Sequence, residues 1–228
     1  MSTLYLVATP IGNLSDFSPR AVEVLQSADR IGCEDTRTSG KLLQAYAIQK
    51  PLFSFHQHNE HHKVDRVMEY LAAGETIALI TDAGMPGLSD PGFLAARAAH
   101  QNGYTVSAIP GPDALTTALA ASGLPSDRFL FEGFLPAKKG RQTRIQEIAD
   151  ADITTVLYES PHRILKLLTK MLEVMDGTRM VCMARELTKA YEEVVRCTLA
   201  ELADNLEERT SIKGEIVLIV AGKTYSDT

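Results

Sequence analysis

The sequence predicts an α/β protein made of two α/β domains. Three observations lead there. Apolar strand-like runs alternate with helical stretches along the chain, a rhythm that yields sheets covered by helices on both faces. A Pro/Gly-rich stretch near 110–125 interrupts that rhythm and the texture changes beyond it, which divides the chain into residues 1–118 and 119–228. Gly, Pro and small polar residues gather directly behind the strand-like runs, where open α/β sheets bind ligands.

The elements follow in order. TLYLVA (3–8) reads as a strand. SPRAVEVLQSA (18–28) opens with a Ser cap and a Pro at the first helical position, a good helix start. RIGCE (30–34) is a short strand and TRTSGKLLQAYA (36–47) a helix. HNEHHKVDRVMEYLAAG (58–74) is a helix closed by Gly74. TIALITD (76–82) is a strand, PGFLAARAAHQNG (91–103) a helix, YTVSAI (104–109) a strand, and PGPDALTTALAASG (110–123) turns into a helix. In the second half RFLFEGFL (128–135) alternates apolar and polar residues. KGRQTRIQEIADA, PHRILKLLTKMLEVM and TLAELADNLEER are helices there, and TTVLYES, RMVCMARE and GEIVLIVAG are strands.

The 228 residues are 45% hydrophobic and 23% charged, with a net charge of −6, an ordinary globular composition. A dedicated nucleic-acid binder is usually basic, so any polynucleotide contact must come from a local patch. No apolar run approaches the roughly 20 residues that span a bilayer. MSTLYLVATP has no basic leader and reads as a strand, so a cytoplasmic protein without a signal peptide is expected, with no membrane partner. Cys33, Cys182 and Cys197 have no paired spacing and sit among apolar residues, so buried free thiols are expected.

The strand-end loops are TPIGN (9–13), EDTR (34–37), TDAGMPGLSDPG (81–92), PGPDA (110–114), ESPHR (159–163) and ARELTK (184–189). Gly permits close backbone approach and Pro fixes a turn, so these loops are suited to laying main-chain groups against a ligand. No P-loop and no G-x-G-x-x-G follows the first strand, and the loops carry few cations. A plain strand-to-helix connection capped by Ser89 or Asp90 would also account for TDAGMPGLSDPG.

Nine blocks in order, LYLVATPIGNLSD, CEDTRTSGKLL, HNE, LITDAGMPGLSDPG, IPGPDALTTALAASG, FEGFLP, YESPHR, ARELTK and KGEIVLIV, resemble the tetrapyrrole-methylase superfamily. Within it they resemble the bacterial enzymes that methylate a cytidine 2′-hydroxyl in small-subunit ribosomal RNA. The resemblance runs over essentially the whole chain. It implies S-adenosylmethionine as methyl donor in a cleft between the two domains, a homodimer, and ribosomal RNA or the small ribosomal subunit as partner. Many members carry a further C-terminal helical segment, whereas this sequence stops at AGKTYSDT; if that segment helps to hold RNA, the grip here is expected to be weaker.

By the same resemblance the donor contacts are Pro10 and Ile11, then Met85, Pro86 and Leu88, then Asp113 and Ala114, with Tyr158, Ala184 and Val217 from the second domain. Methyl transfer to a ribose oxygen needs alignment and removal of a proton. The candidate bases are Asp35, Asp82 and Glu186, with Asp90, Glu159 and His162 behind them. Asp35 and Asp90 each precede a helix and could equally cap it. Arg37, Arg163, Arg185 and Lys189 follow strand ends, and Lys138, Lys139, Arg141 and Arg144 cluster in PAKKGRQTR; all eight are candidate RNA contacts. Phe131 and Phe134 are expected in the core or a cleft wall, with base stacking the lesser alternative. His58, His61 and His62 have helical spacing compatible with metal ligation, but the surroundings are polar and the family's chemistry needs no metal, so no metal site is expected. The alternatives are a same-fold methylase acting on a tetrapyrrole or a protein side chain, and a non-catalytic RNA-binding module.

Overall fold

The computed structural model describes residues 2–57 and 60–227. These divide into two compact units, Met1–Asp113 and Ala114–Thr228.

The first unit runs β1 (Thr3–Val7), a 3-10 turn (Leu14–Asp16), α1 (Pro19–Ser27), β2 (Arg30–Cys33), α2 (Thr36–Ala45), β3 (Leu52–Ser54), α3 (Glu60–Ala72), β4 (Ile77–Leu79), α4 (Phe93–Gln101) and β5 (Thr105–Ile109). Helix starts are set locally: Ser18 Oγ accepts from the Ala21 amide, and Asp35 accepts from the Arg37 amide. All five strands are parallel, in the order β3-β2-β4-β1-β5. Such a sheet must be covered on both faces, and alternate residues of each strand supply the two cores. Leu25 and Leu43 of α1 and α2 pack with Val7, Ile31 and Ile80. Val67, Leu71, Ala95 and Ala99 of α3 and α4 pack with Leu4, Ile77 and Leu79. β1 and β4 are neighbours, and their crossovers leave in opposite directions, toward β2 and toward β5. Their carboxyl ends are therefore the switch point where α/β sheets bind ligands.

The second unit runs α5 (Ala114–Ser122), β6 (Phe129–Phe134), α6 (Arg141–Asp150), β7 (Thr154–Glu159), α7 (Ile164–Leu172), β8 (Met180–Arg185), β9 (Glu193–Thr198), α8 (Leu199–Glu207) and β10 (Ile216–Val220). The strand order is β6-β7-β10-β8-β9, parallel only between β6 and β7. α6, α7 and α8 bury Ile145, Ile148, Leu167, Leu168, Met171, Leu202 and Leu206 against Leu157, Val181, Met183 and Leu218. α5 packs on β7, β8, β9 and β10 with Leu115, Ala118 and Leu119, which lie outside that cluster, so it covers the other face.

Several elements differ from the sequence expectation. β3 and β9 were not anticipated. β3 is three residues behind Pro51, too short for a period-2 pattern to register. β9, EVVRCT, is an edge strand whose alternating burial is masked by its charges. It forms an antiparallel pair with β8, so strict β/α alternation fails in the second unit. The strand expected over 76–82 is only Ile77–Leu79, although the Ile80 amide still donates to the Gly32 carbonyl of β2 (2.9 Å). The unit division precedes α5, so a boundary at 118–119 falls inside that helix. Cys33 and Cys182 are buried as expected, whereas Cys197 is only half-buried in the edge strand. Among the described residues no helix is long and apolar enough to cross a membrane.

Candidate active site

Two strand-end loops of the first unit are tied into one body. The Thr9 amide donates to the Gly84 carbonyl (2.9 Å) and the Gly84 amide donates to the Thr9 carbonyl (3.0 Å). Thr9 Oγ1 donates to the Thr81 carbonyl (3.0 Å), and Thr81 Oγ1 donates to the Gly84 carbonyl (3.2 Å); both threonines are buried. The loop behind β1 is thereby fixed to the loop behind β4 at the switch point. This segment, 84–92, bends through positive φ at Gly84 (86°), Gly87 (88°), Ser89 (65°) and Gly92 (141°). Side chains would resist that path. A Cβ on Gly92 would lie 3.0 Å from the Gly87 nitrogen, whereas one on Gly84 would meet only Ile11, at 3.6 Å. Ile11 and Pro86 are buried, Pro10 and Met85 half-buried, and Leu88 is 40% exposed. Behind β5, Asp113 and Ala114 are half-buried, and Gly111 packs so closely on Ala8 that a Cβ there would sit 2.9 Å from the Ala8 methyl.

The fold closes this loop with Glu60, which sequence reading passed over. Glu60 is buried, and its Oε1 accepts from the amides of Gly92 and Leu94, each at 3.0 Å. Asp90, expected as a possible cap of α4, does not cap it; the N-cap is Gly92, which has no side chain to offer, and the carboxylate arrives from α3 instead. The acidic third position of HNE was the available signal.

Behind β2 and β4, neighbours in the sheet, carboxylates interlock. The Asp82 amide donates to Glu34 Oε1 (3.2 Å) and the Asp35 amide donates to Asp82 Oδ1 (3.4 Å). Their affinities for protons diverge. The Arg37 guanidinium and amide hold Asp35 at about 2, and Asp35 is the N-cap of α2. Burial raises Glu34. Asp82 is exposed as a residue, yet the loop around its carboxylate dehydrates it enough to raise it, with Asp35 repelling its charge. Asp90 is pushed up to about 7 by burial, then by the charges of Glu34 and Asp82. Glu186 goes the other way: Lys189 (2.9 Å) and the Glu215 amide (3.1 Å) hold it below the usual carboxylate range. It sits at φ 52° against Gly214, where a Cβ would clash with it at 2.2 Å, so Glu186 pins a turn.

In the second unit the resemblance-selected residues form a line. Register pairs Tyr158 with Val217 and Val217 with Ala184, so the three stand side by side on adjacent strands and one face. The line continues to Phe134 at one edge and Val194 at the other. Ala184 and Val217 are buried and Tyr158 is half-buried. Phe134 is 58% exposed and so is not in the core; β6 is an edge strand whose register shifts at Phe131–Gly133.

The eight cations separate into groups. Arg141, 12% exposed, donates to Glu159 Oε2 at 2.7 Å, and Arg163 donates to Glu159 Oε1 at 2.6 Å; Glu159 is fully buried and also accepts from the Ser160 amide. Arg141, expected to contact RNA, is thus committed to neutralising an internal carboxylate. Arg185 pairs with Glu193 (2.8 Å), and Lys189 pairs with Glu186 and Glu215. Arg37 pairs with Asp35 and Arg144 with Glu147, both with exposed guanidinium groups. Lys138 and Lys139 are exposed and form no ion pair among the described residues. His162 is exposed; His58 lies outside the described residues, and His61 and His62 are exposed on α3. Among the described residues no group of three or more His, Cys, Asp or Glu is arranged to hold a metal.

A parallel α/β unit with a glycine-rich switch-point loop, followed by a mixed five-stranded α/β unit, is an arrangement found in tetrapyrrole methyltransferases. The fold is similar to that of a uroporphyrin-III C-methyltransferase from Thermus thermophilus (TM-score 0.66, 21% identity, 97% of this chain and 94% of that one) and to a cobalt precorrin-4 methyltransferase (TM-score 0.63, 17% identity, 96% and 94%). At these identities the likeness is one of fold. The chain belongs to the tetrapyrrole (corrin/porphyrin) methylase family, whose sequence model matches residues 3–203. Relatives named ribosomal RNA small subunit methyltransferase I are far more similar. The protein of that name from Haemophilus influenzae is 50% identical over 226 residues, 98% of this chain and 80% of that protein. Those from Synechocystis and Escherichia coli O157:H7 are each 48% identical, over 100% and 96% of this chain and 81% and 77% of theirs.

Proposed function

We propose that this chain is an S-adenosylmethionine-dependent methyltransferase that modifies the ribose 2′-hydroxyl of a cytidine in small-subunit ribosomal RNA, working as a cytoplasmic homodimer. The observation that carries the reading is identity near one half over almost the whole chain to proteins named for small-subunit ribosomal RNA methylation.

The residues present suit the donor. Main chain at Pro10, Ile11, Met85, Pro86 and Leu88 lies in the two loops joined by the Thr9–Gly84 bridge, on a path whose positive φ values favour glycine. Asp113 and Ala114 follow β5, and within the second unit Tyr158, Val217 and Ala184 form a mostly apolar row. Aliphatic side chains beside main-chain donors and acceptors match an adenine ring, and carboxylates match hydroxyls and a sulfonium charge. Bound there, the donor supplies an activated methyl group.

The proton of the acceptor hydroxyl goes to Asp82 in this reading. Asp35 is held at about 2 and Glu186 is lowered, which makes both weaker bases, whereas Asp82 is raised and exposed. Lys138 and Lys139 contact phosphate first, joined by Arg37 and Arg144, whose own side chains are exposed. The test is methyl transfer from labelled donor to small subunits prepared from cells lacking the protein. Incorporation that depends on the chain supports the reading, and none from a folded, donor-binding sample rejects it.

A further inference from the structure

The line of side chains across the second sheet reaches solvent at β6, and a large aromatic stands at that end. Phe134 is 58% exposed, pairs in register with Tyr158, and holds it edge-on, with ring centroids 5.5 Å apart. Phe131 also packs edge-on against Tyr158, at 5.2 Å. Phe134 therefore presents its remaining surface to solvent while Tyr158 fixes it in place. Val217 lies two strands away, about 10 Å at ordinary strand spacing. The segment that leaves Phe134 carries Lys138 and Lys139, exposed and without ion pairs among the described residues, no more than about 14–18 Å along the chain.

Charge decides what such an aromatic meets. The chain is acidic overall, and the cations at Glu159, Glu193, Glu186 and Glu215 are taken up internally. Two uncommitted lysines directly behind a braced, exposed ring are an aromatic stacking surface with backbone charges beside it, the combination by which proteins hold single-stranded nucleic acid.

We propose that Phe134 is the stacking platform for a nucleobase of single-stranded RNA, with Lys138 and Lys139 holding the adjoining phosphates. The proposal rests on the RNA-methylating reading and adds to it where an unpaired base is held relative to the Tyr158–Val217–Ala184 row. It gives a role to a phenylalanine that stands exposed on an edge strand.

The test measures affinity for a fluorescent single-stranded oligocytidylate as a function of salt, alongside calorimetry with S-adenosylmethionine. Phe134→Leu keeps the position apolar and removes the ring. Its RNA affinity falls about 5- to 100-fold with the slope of affinity against salt unchanged. Phe134→Trp restores affinity. Lys138→Ala with Lys139→Ala flattens the salt slope by about 1–1.5. Donor affinity stays unchanged in the lysine double variant, so a failure of the donor reading is seen separately as absent heat in the parent chain. Equal RNA affinity for parent and Phe134→Leu, or no RNA binding by the parent, overturns the proposal. So does a change of Phe134→Leu in sedimentation alone, which would make this edge a contact between copies of the chain.

Discussion

Glu60 and Gly92, 32 residues apart in sequence, meet in a hydrogen bond of 3.0 Å from the Gly92 amide to a buried carboxylate oxygen. The same oxygen takes the Leu94 amide, so one side chain of α3 caps α4 and sets where the 84–92 loop ends. Glu60→Ala leaves two amides without that partner and costs about 1–3 kcal/mol of stability. Donor affinity falls with it, because the loop loses its anchor. Glu60→Gln keeps an acceptor and restores much of both. Thermal unfolding with donor calorimetry on the two variants checks this.

The glycines of the loop differ in what they tolerate. Gly84→Ala meets no close atom and pays only for its φ of 86°, about 1–2 kcal/mol. Gly92→Ala adds a contact of 3.0 Å with the Gly87 backbone and should lower stability more. Gly84→Val and Gly87→Val should abolish donor binding in a protein whose circular dichroism is unchanged. Unaltered donor affinity in the valine variants counts against the donor loop.

Asp82→Asn should lower kcat by roughly 10²–10⁴-fold while leaving donor affinity intact. Asp35→Asn and Glu186→Gln should act mainly on stability, since the first caps α2 and the second pins the Gly214 turn. Single-turnover rates and melting curves of the three variants separate the roles. A full rate in Asp82→Asn removes the proposed base.

Asp90 makes a signed prediction about pH. Its carboxyl is raised from 3.8 to about 7 in the folded chain, so between those values the folded state binds the extra proton. Stability from this group therefore declines as pH rises from about 4 to about 7, and is flat above. Asp90→Asn should match the parent near pH 4 and melt higher at pH 8, by about 2–4 °C for each kcal/mol relieved. Glu193, held at about 2 chiefly by Arg209, has the opposite sign: its contribution is present above its ordinary range and is lost as pH falls toward 2. A melting difference between Asp90→Asn and parent that does not grow with pH contradicts the assignment.

Glu159, buried in the second unit, joins the largely buried Arg141 and the part-exposed Arg163. Glu159→Ala strands two guanidinium groups and should cost about 3–5 kcal/mol. Arg141→Ala should destabilise the chain without altering the salt dependence of RNA binding, unlike Lys138→Ala. A shallower salt slope in Arg141→Ala would return this arginine to the RNA surface.

Much of the fold was legible because long periodic segments report their own period. The helix from Pro19 and the strand at Ile216–Val220 needed only a cap or an apolar run. β3 and β9 were not, since three residues and a charged edge strand carry too little pattern. The site was legible as a set of loops and not as a geometry. That Thr9 bridges Gly84, that Glu60 reaches Gly92, and that Phe134, Tyr158, Val217 and Ala184 share a row depend on register and crossover, which local sequence does not encode. The cations show the same limit. Arg141 and Lys138 stand three residues apart in one basic run, yet one neutralises a buried carboxylate and the other faces water.

The central claim is a methyl group delivered to a ribose oxygen of the small-subunit RNA. Small subunits from cells lacking the protein, incubated with the purified chain and isotopically labelled donor, should gain one label, mapped by mass spectrometry of nuclease fragments to the 2′-oxygen of a single cytidine. Label on a base, or on no nucleotide while the chain still binds donor, contradicts the account.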